Sequence, residues 1–241
     1  MKRILSALLA LGAVYHGAAV ADGGDIVFIA PTNHTMPMAR FEEGRLAGGL
    51  LKELGELMAV RMGLRARFLS VPSRRVGEVL TAGGADALCY VLPAWIDGDY
   101  HWSKPFLPNA GVVAARPEAP VIGALEQLAG IKVGTVNGYR YPDLERALGK
   151  RFAREDAPTM ELNFRKLVVG RMRYAIMEQT TLDYQLRKNP ALKLRKDLQF
   201  SSFQTQCAFA RNSAIPYARA ALAIEQLVAD GSIAALLARY R

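Results

Sequence analysis

Histidine and cysteine are scarce in this chain, with three of one and two of the other in 241 residues. A zinc centre gathers three or four such ligands at recognisable spacing. His16, His34, His101, Cys89 and Cys207 show no such pattern, so no metal or other cofactor is expected. Cys89 and Cys207 form no CxxC redox motif. Both lie in apolar, strand-like runs, and the expectation is two free, buried thiols acting as small hydrophobes. An exported location would also permit a disulfide. No G-x-S-x-G is present, and acid–base candidates beyond Glu178 and His34 are few. Nucleophilic or paired-carboxylate catalysis is therefore not expected. The net charge is +9, yet no Lys/Arg block is interleaved with aromatics as in single-strand binders. Scattered basic charge is read as a solubilising surface, and nucleic acid is not an expected partner.

After residue 21 no apolar run approaches the ~20 residues that span a bilayer. What precedes it is informative. Lys2 and Arg3 lead into a mostly apolar run over residues 4–14, and Ala19-Val20-Ala21 supplies small side chains at a cleavage site. This is the pattern of a secretory signal peptide, expected to be cut after Ala21. The mature chain would begin at Asp22 in the periplasm, with 220 residues and a net charge of +7. ATP and NAD(P)H are not freely supplied there, which removes most cofactor-driven chemistry.

The remaining residues alternate between two kinds of pattern. Short apolar or β-branched runs at 25–30, 64–71 and 85–91 read as strands, with helical spacing at 46–62 and 74–80 between them. That order implies a parallel sheet covered by helices. After an aromatic-rich loop and a strand at 111–115, a second unit follows. It has a short helix at 125–128, strands at 132–136, 159–162 and 174–177, and helices at 141–152, 164–169 and 181–186. A strand at 204–210 and a helical stretch at 216–240, interrupted near Asp230-Gly231, close the chain. The expected α/β fold has two lobes, each a mostly parallel sheet flanked by helices, joined by two crossovers. Lobe one takes residues 22–115 and 205–241, and lobe two takes 116–204.

Three phrases carry a family resemblance. They are LAGIKVGTVNGYRYPDLERAL (128–148), VPSRRVGEVLTAGGADALC (71–89) and IEQLVADGSIAALLARY (224–240), with WSKPF (102–106) in support. In order and spacing they resemble the bacterial solute-binding proteins of family 3, which serve polar amino-acid ABC importers. The resemblance implies a type II periplasmic-binding-protein fold that closes on a small polar, acidic or amino-acid-like solute. It also implies a monomer that delivers to a membrane permease, with a sensor component or a dehydratase on the same scaffold as alternatives. Family members that bind amino acids usually carry an arginine for the ligand carboxylate soon after the third strand. Here residues 91–103 contain none. Where the family often has an aspartate for the ammonium group, Glu178 is the nearest carboxylate.

Candidate ligand-binding residues follow. Asn137, Gly138, Tyr139 and Arg140 join a strand to a helix that begins near Pro142. Helix-terminal N–H groups suit an anion, and Arg140 can add a bidentate fork. The alternative is an ordinary turn with Arg140 in solvent. Tyr90 and Trp95 follow the third strand, as an aromatic wall or as core. Asn33, His34 and Thr35 lie in the first strand-to-helix loop, which the family uses to line its cleft. Glu178 completes the set.

Overall fold

The computed structural model describes residues 23–240, so the signal-peptide expectation lies outside the described residues. Lobe one is built on three parallel strands, β1 (Asp25–Pro31), β4 (Arg65–Val71) and β5 (Ala87–Val91), with β1 in the centre. A small hairpin, β2 (Arg40–Glu42) and β3 (Arg45–Gly48), precedes helix α1 (Leu50–Arg61). Helix α2 (Val76–Thr81) joins β4 to β5. Then come β6 (Tyr100–Trp102) and β7 (Leu107–Ala115). Lobe two holds β8 (Val133–Val136), α3 (Pro142–Leu148), β9 (Arg154–Ala157), α4 (Met160–Val168), β10 (Tyr174–Glu178) and α5 (Gln179–Lys188). The chain ends with the long strand β11 (Arg195–Ala210) and helices α6 (Tyr217–Ala229) and α7 (Ser232–Ala238).

The hydrogen-bonded order β4-β1-β5-β11-β7-β10-β8-β9, with β6 also on β11, runs through both lobes. Two strands carry the continuity. β7 pairs with β11 from Leu107 onward and with β10 from Gly111 to Ala115. β11 follows β7 up to Thr205, then changes partner to β5 from Gln206. These adjacent antiparallel strands are the connections between the lobes.

Alternation along the strands sorts the core into layers. On β1, Ile26, Phe28 and Ala30 face α1, α6 and α7, while Val27 and Ile29 face α2. On β7, Val113 and Ala115 pack towards α3, and Val112 and Ala114 pack towards α4 and α5. Both faces of each sheet are covered, which explains the continuous apolar runs of β5 and β7. No single helix among the described residues is long and apolar enough to cross a membrane, and α6 and α7 meet at a 67° bend.

Several expectations need correction. The helix expected over 46–62 begins only at Leu50, because Gly48 and Gly49 break the pattern and Leu46 belongs to the β2–β3 hairpin. The strand expected at 159–162 is the start of α4, where the Thr159 side chain caps the helix by accepting from the Leu162 N–H. The strand of that unit is β9, an edge strand of charged residues without an apolar signature. The helix at 141–152 stops at Leu148 before Gly149, which sits at φ 50°. The last strand starts nine residues before the expected Gln204. Finally, Cys89 and Cys207 are not free thiols. They face one another on β5 and β11 and are joined by a disulfide. Chain alternation shows that each is buried, but only sheet register brings them together.

Candidate functional site

A cavity of about 330 Å³ lies between the lobes. It sits beyond the carboxyl ends of four parallel strands: β1 leads to His34, β5 to Trp95, β8 to Tyr139 and β10 ends in Glu178. Open α/β sheets place their ligands at this end. His34, Tyr90, Trp95, Gly138, Tyr139, Arg140 and Glu178 line the cavity. Asn33, Thr35 and Asn137 do not.

The aromatic wall depends on an irregularity of β5. Opposite Tyr90 the β5–β11 register slips between Gln206 and Cys207, and Tyr90 takes φ 64°. A left-handed conformation costs a bulky residue roughly 1–2 kcal/mol, and bulges are a means of re-aiming a side chain near a site. Tyr90 is held there by a hydrogen bond from the Asn109 amide of β7. Asn109 also donates to Thr180 Oγ1 at 2.8 Å, and its carbonyl accepts from the Thr180 N–H at 3.3 Å. One buried amide thus ties β5, β7 and the start of α5 together beside the cavity. Tyr90 leans on Trp95 (ring centroids 6.5 Å apart), and Trp95 meets Phe203 edge-on at 5.4 Å.

Across from this wall Tyr139 donates or accepts with His34 Nδ1 at 2.9 Å, a contact between the lobes. Burial pushes the His34 imidazole down to about 4, so the ring is neutral at physiological pH. Burial pushes the Glu178 carboxyl up to about 7. No side chain among the described residues forms a hydrogen bond or ion pair with it. The Tyr90 and Tyr139 hydroxyls are raised well above 10, first by burial and then by the Glu178 charge.

The 138–141 turn spends much of its bonding capacity inside the protein. Tyr139 N–H donates to Val136 O at 3.2 Å, and Tyr141 N–H to Glu145 Oε1 at 3.3 Å. Gly138 takes φ 83° and passes so close to lobe one that a Cβ would lie 2.7 Å from Arg74 Cγ. Arg140 grips Asp97 of lobe one with both guanidinium nitrogens, one at 2.9 Å from Oδ1. The pair lies in solvent at the cleft mouth. Arg140→Ala is therefore expected to weaken ligand binding by less than about fivefold, as exposed pairs do. The loss should vanish in high salt. Titration calorimetry at two salt concentrations checks this.

Asn33 and Asn137 act on the lobes and not on the cavity. The Asn33 amide donates to Asn137 O (3.1 Å) and Pro158 O (2.7 Å), while its Oδ1 accepts from the Ser73 N–H (2.8 Å). Its backbone carbonyl accepts from Met160 N–H at 2.9 Å. One lobe-one residue thus holds three lobe-two groups. Thr35 supplies a backbone carbonyl to Met38 and Ala39 at the turn after β1.

Sequence reasoning missed the cavity residues Phe200, Ser201, Ser202 and Phe203. They lie on the first part of β11, whose mixed polar and aromatic pattern is visible in the sequence but was not read as strand. Among the described residues no three or more His, Cys, Asp or Glu side chains gather as a metal site.

This architecture is the type II periplasmic-binding-protein fold, shared with solved structures of amino-acid-binding proteins. The arginine-, lysine-, histidine-binding protein ArtJ from Geobacillus stearothermophilus superposes with TM-score 0.76 at 18% identity, covering 90% of this chain and 94% of its own. A histidine kinase sensor domain with similarity to periplasmic binding proteins gives 0.75 at 21% identity, covering 90% and 95%. The ancestral amino acid-binding protein AncCDT-1, a precursor of cyclohexadienyl dehydratase, gives 0.74 at 14%, also covering 90% and 95%. No protein-family model and no curated protein matches the sequence.

Proposed function

We propose that this protein is an exported solute-binding protein that closes its lobes on one small molecule and presents it to the permease of an ABC importer. The observation that carries the reading is the aromatic-lined cleft built by both lobes, with a carboxyl group at its wall. The amino-acid-binding proteins of the same fold support it, and the leader-like residues 1–21 support a periplasmic location after cleavage. The proposed protein works as a monomer without cofactor and returns its ligand unchanged.

Mass spectrometry of small molecules released by mild denaturation of the purified protein is expected to find the solute. Small-angle scattering is expected to show a smaller radius of gyration once that solute is restored to stripped protein, as hinge closure requires. Asn33→Ala, which removes two of the side-chain bonds across the cleft, should raise the radius of the stripped protein. A radius that never responds to ligand and a preparation that releases no small molecule would together overturn the reading.

Two other readings have specific support. The neighbouring sensor domain favours a receptor in place of a permease, and co-purification with a membrane kinase would reveal it. The Glu178 carboxyl near 7 is suited to general acid–base work, and the dehydratase precursor shares the fold. Chemical conversion of the released solute on return to the protein would favour that enzyme.

A further inference from the structure

We propose that the cavity selects a compact organic cation, an amine on an aromatic or branched aliphatic body, and rejects the same body when it carries a carboxylate. The inference rests on the solute-binding reading above and adds the chemical class of the solute.

The charges around the cavity carry the argument. Two arginines line it, and both are already matched. Arg140 is held by Asp97, and Arg146 pairs with Asp143 at 3.1 Å, its side chain 77% exposed at the rim. The helix N-terminus nearest Glu178 is also engaged, since the Thr180 N–H of α5 donates to Asn109. The 138–141 turn has its Tyr139 and Tyr141 N–H groups bonded within the protein. A ligand carboxylate would therefore meet hydroxyl and indole donors but no unpaired cation among the lining residues. Glu178 is the opposite case, a half-buried carboxyl on the cavity wall with no side-chain partner among the described residues. Removing a carboxylate from water costs several kcal/mol unless a cation answers it.

The walls suit the same ligand. Tyr90, Trp95 and Tyr139 present ring surfaces, and His34, held neutral, brings no competing charge. Desolvated cations gain from such faces. The rings also give an apolar body a place to dock, with Ile176 and Met177 of β10 beside them.

Binding of phenethylamine, phenylalanine and hydrocinnamate, and of isoamylamine, leucine and isocaproate, to the stripped full-length protein tests the inference. Calorimetry and the intrinsic fluorescence of Trp95 and Trp102 provide independent readouts. Within each set the amine is expected to bind at least about tenfold tighter than the amino acid or the acid. Glu178→Gln, which keeps the shape, should weaken the amine about 10- to 100-fold, the worth of a charged hydrogen bond. An unchanged thermal transition, or a higher one, shows that the variant is folded. An amino acid or acid that binds as tightly as its amine overturns the inference. So does a panel in which no amine binds, or an amine indifferent to Glu178→Gln. The solute-binding reading stands or falls separately, on whether the purified protein releases a small molecule of any class.

Discussion

Replacing Cys89 and Cys207 together by alanine is expected to lower the stability by about 3–5 kcal/mol. The two cysteines lie 118 residues apart, and the bond between them closes nearly half the chain into a loop. Chain-entropy arithmetic for a loop of that length gives about 5 kcal/mol at 25 °C. Both side chains are buried, at 7% and 0% exposure, so neither alanine finds new solvent to offset the loss. The location adds to the effect. The bond crosses from β5 to β11 one residue from Tyr90, where the register slips and the chain takes a left-handed turn. A urea titration of the oxidised wild type, the reduced wild type and the double variant is the measurement. A midpoint unmoved by the substitutions would mean that the bond contributes nothing in solution.

Glu178→Gln is expected to make the unliganded protein more stable at pH 8 and no more stable at pH 4. The carboxyl has its usual value of 4.5 when the chain is unfolded and is pushed up to about 7 by burial in the fold. Between those values the folded state holds a proton that the unfolded state has lost. Stability therefore falls as pH rises through this window, and the penalty is complete above pH 7. Its full size is about 3 kcal/mol, and glutamine removes it. Of the groups facing Glu178 only His34 changes protonation on unfolding in this range, between its folded value of about 4 and its unfolded 6.5, and that contribution is common to wild type and variant. Tyr90, Tyr139 and Tyr141 are all raised, His34 is lowered to about 4, and the arginines at the rim are paired. For a chain of this size the gain corresponds to roughly 6–12 °C in the transition temperature. Thermal unfolding at the two pH values checks it, and equal gains at both would point to packing and not to charge. The wild-type protein would then hold a carboxyl that costs stability until a ligand answers it.

Much of this architecture was legible because buried strands announce themselves. β1, β5, β8 and β10 are short apolar runs bounded by turns, and the Asp230-Gly231 break between α6 and α7 is plain in the sequence. β9 was not legible, since Arg154, Glu155 and Asp156 give an edge strand no apolar face to show. The beginning of β11 was hidden for a similar reason, because it is polar and half-exposed over its first ten residues. The candidate site divides along the same line. Strand ends and the loops after them are easy to locate, and so His34, Tyr90, Trp95, Tyr139 and Glu178, named from the sequence, line the cavity. Which side chain turns inward is a different matter. Asn33 engages the other lobe and Arg140 engages Asp97, and both choices depend on residues over forty positions away or more. The facing of Cys89 and Cys207 depends in the same way on the register of two strands that local pattern cannot supply.

The path of β11 also sets an order of assembly. Lobe two draws its parallel strands β8, β9 and β10 from one continuous stretch, so a chain emerging from its N-terminus can complete that ladder early. Lobe one is interrupted. The edge of β5 stays unpaired until Gln206–Phe209 arrives, and the side of α1 that packs on α6 and α7 stays uncovered until they follow. Long-range pairing of this kind is slow and leaves sheet edges open in the meantime. Cys207 meets Cys89 only at that last step, so the oxidised bond is a chemical record that lobe one has been finished.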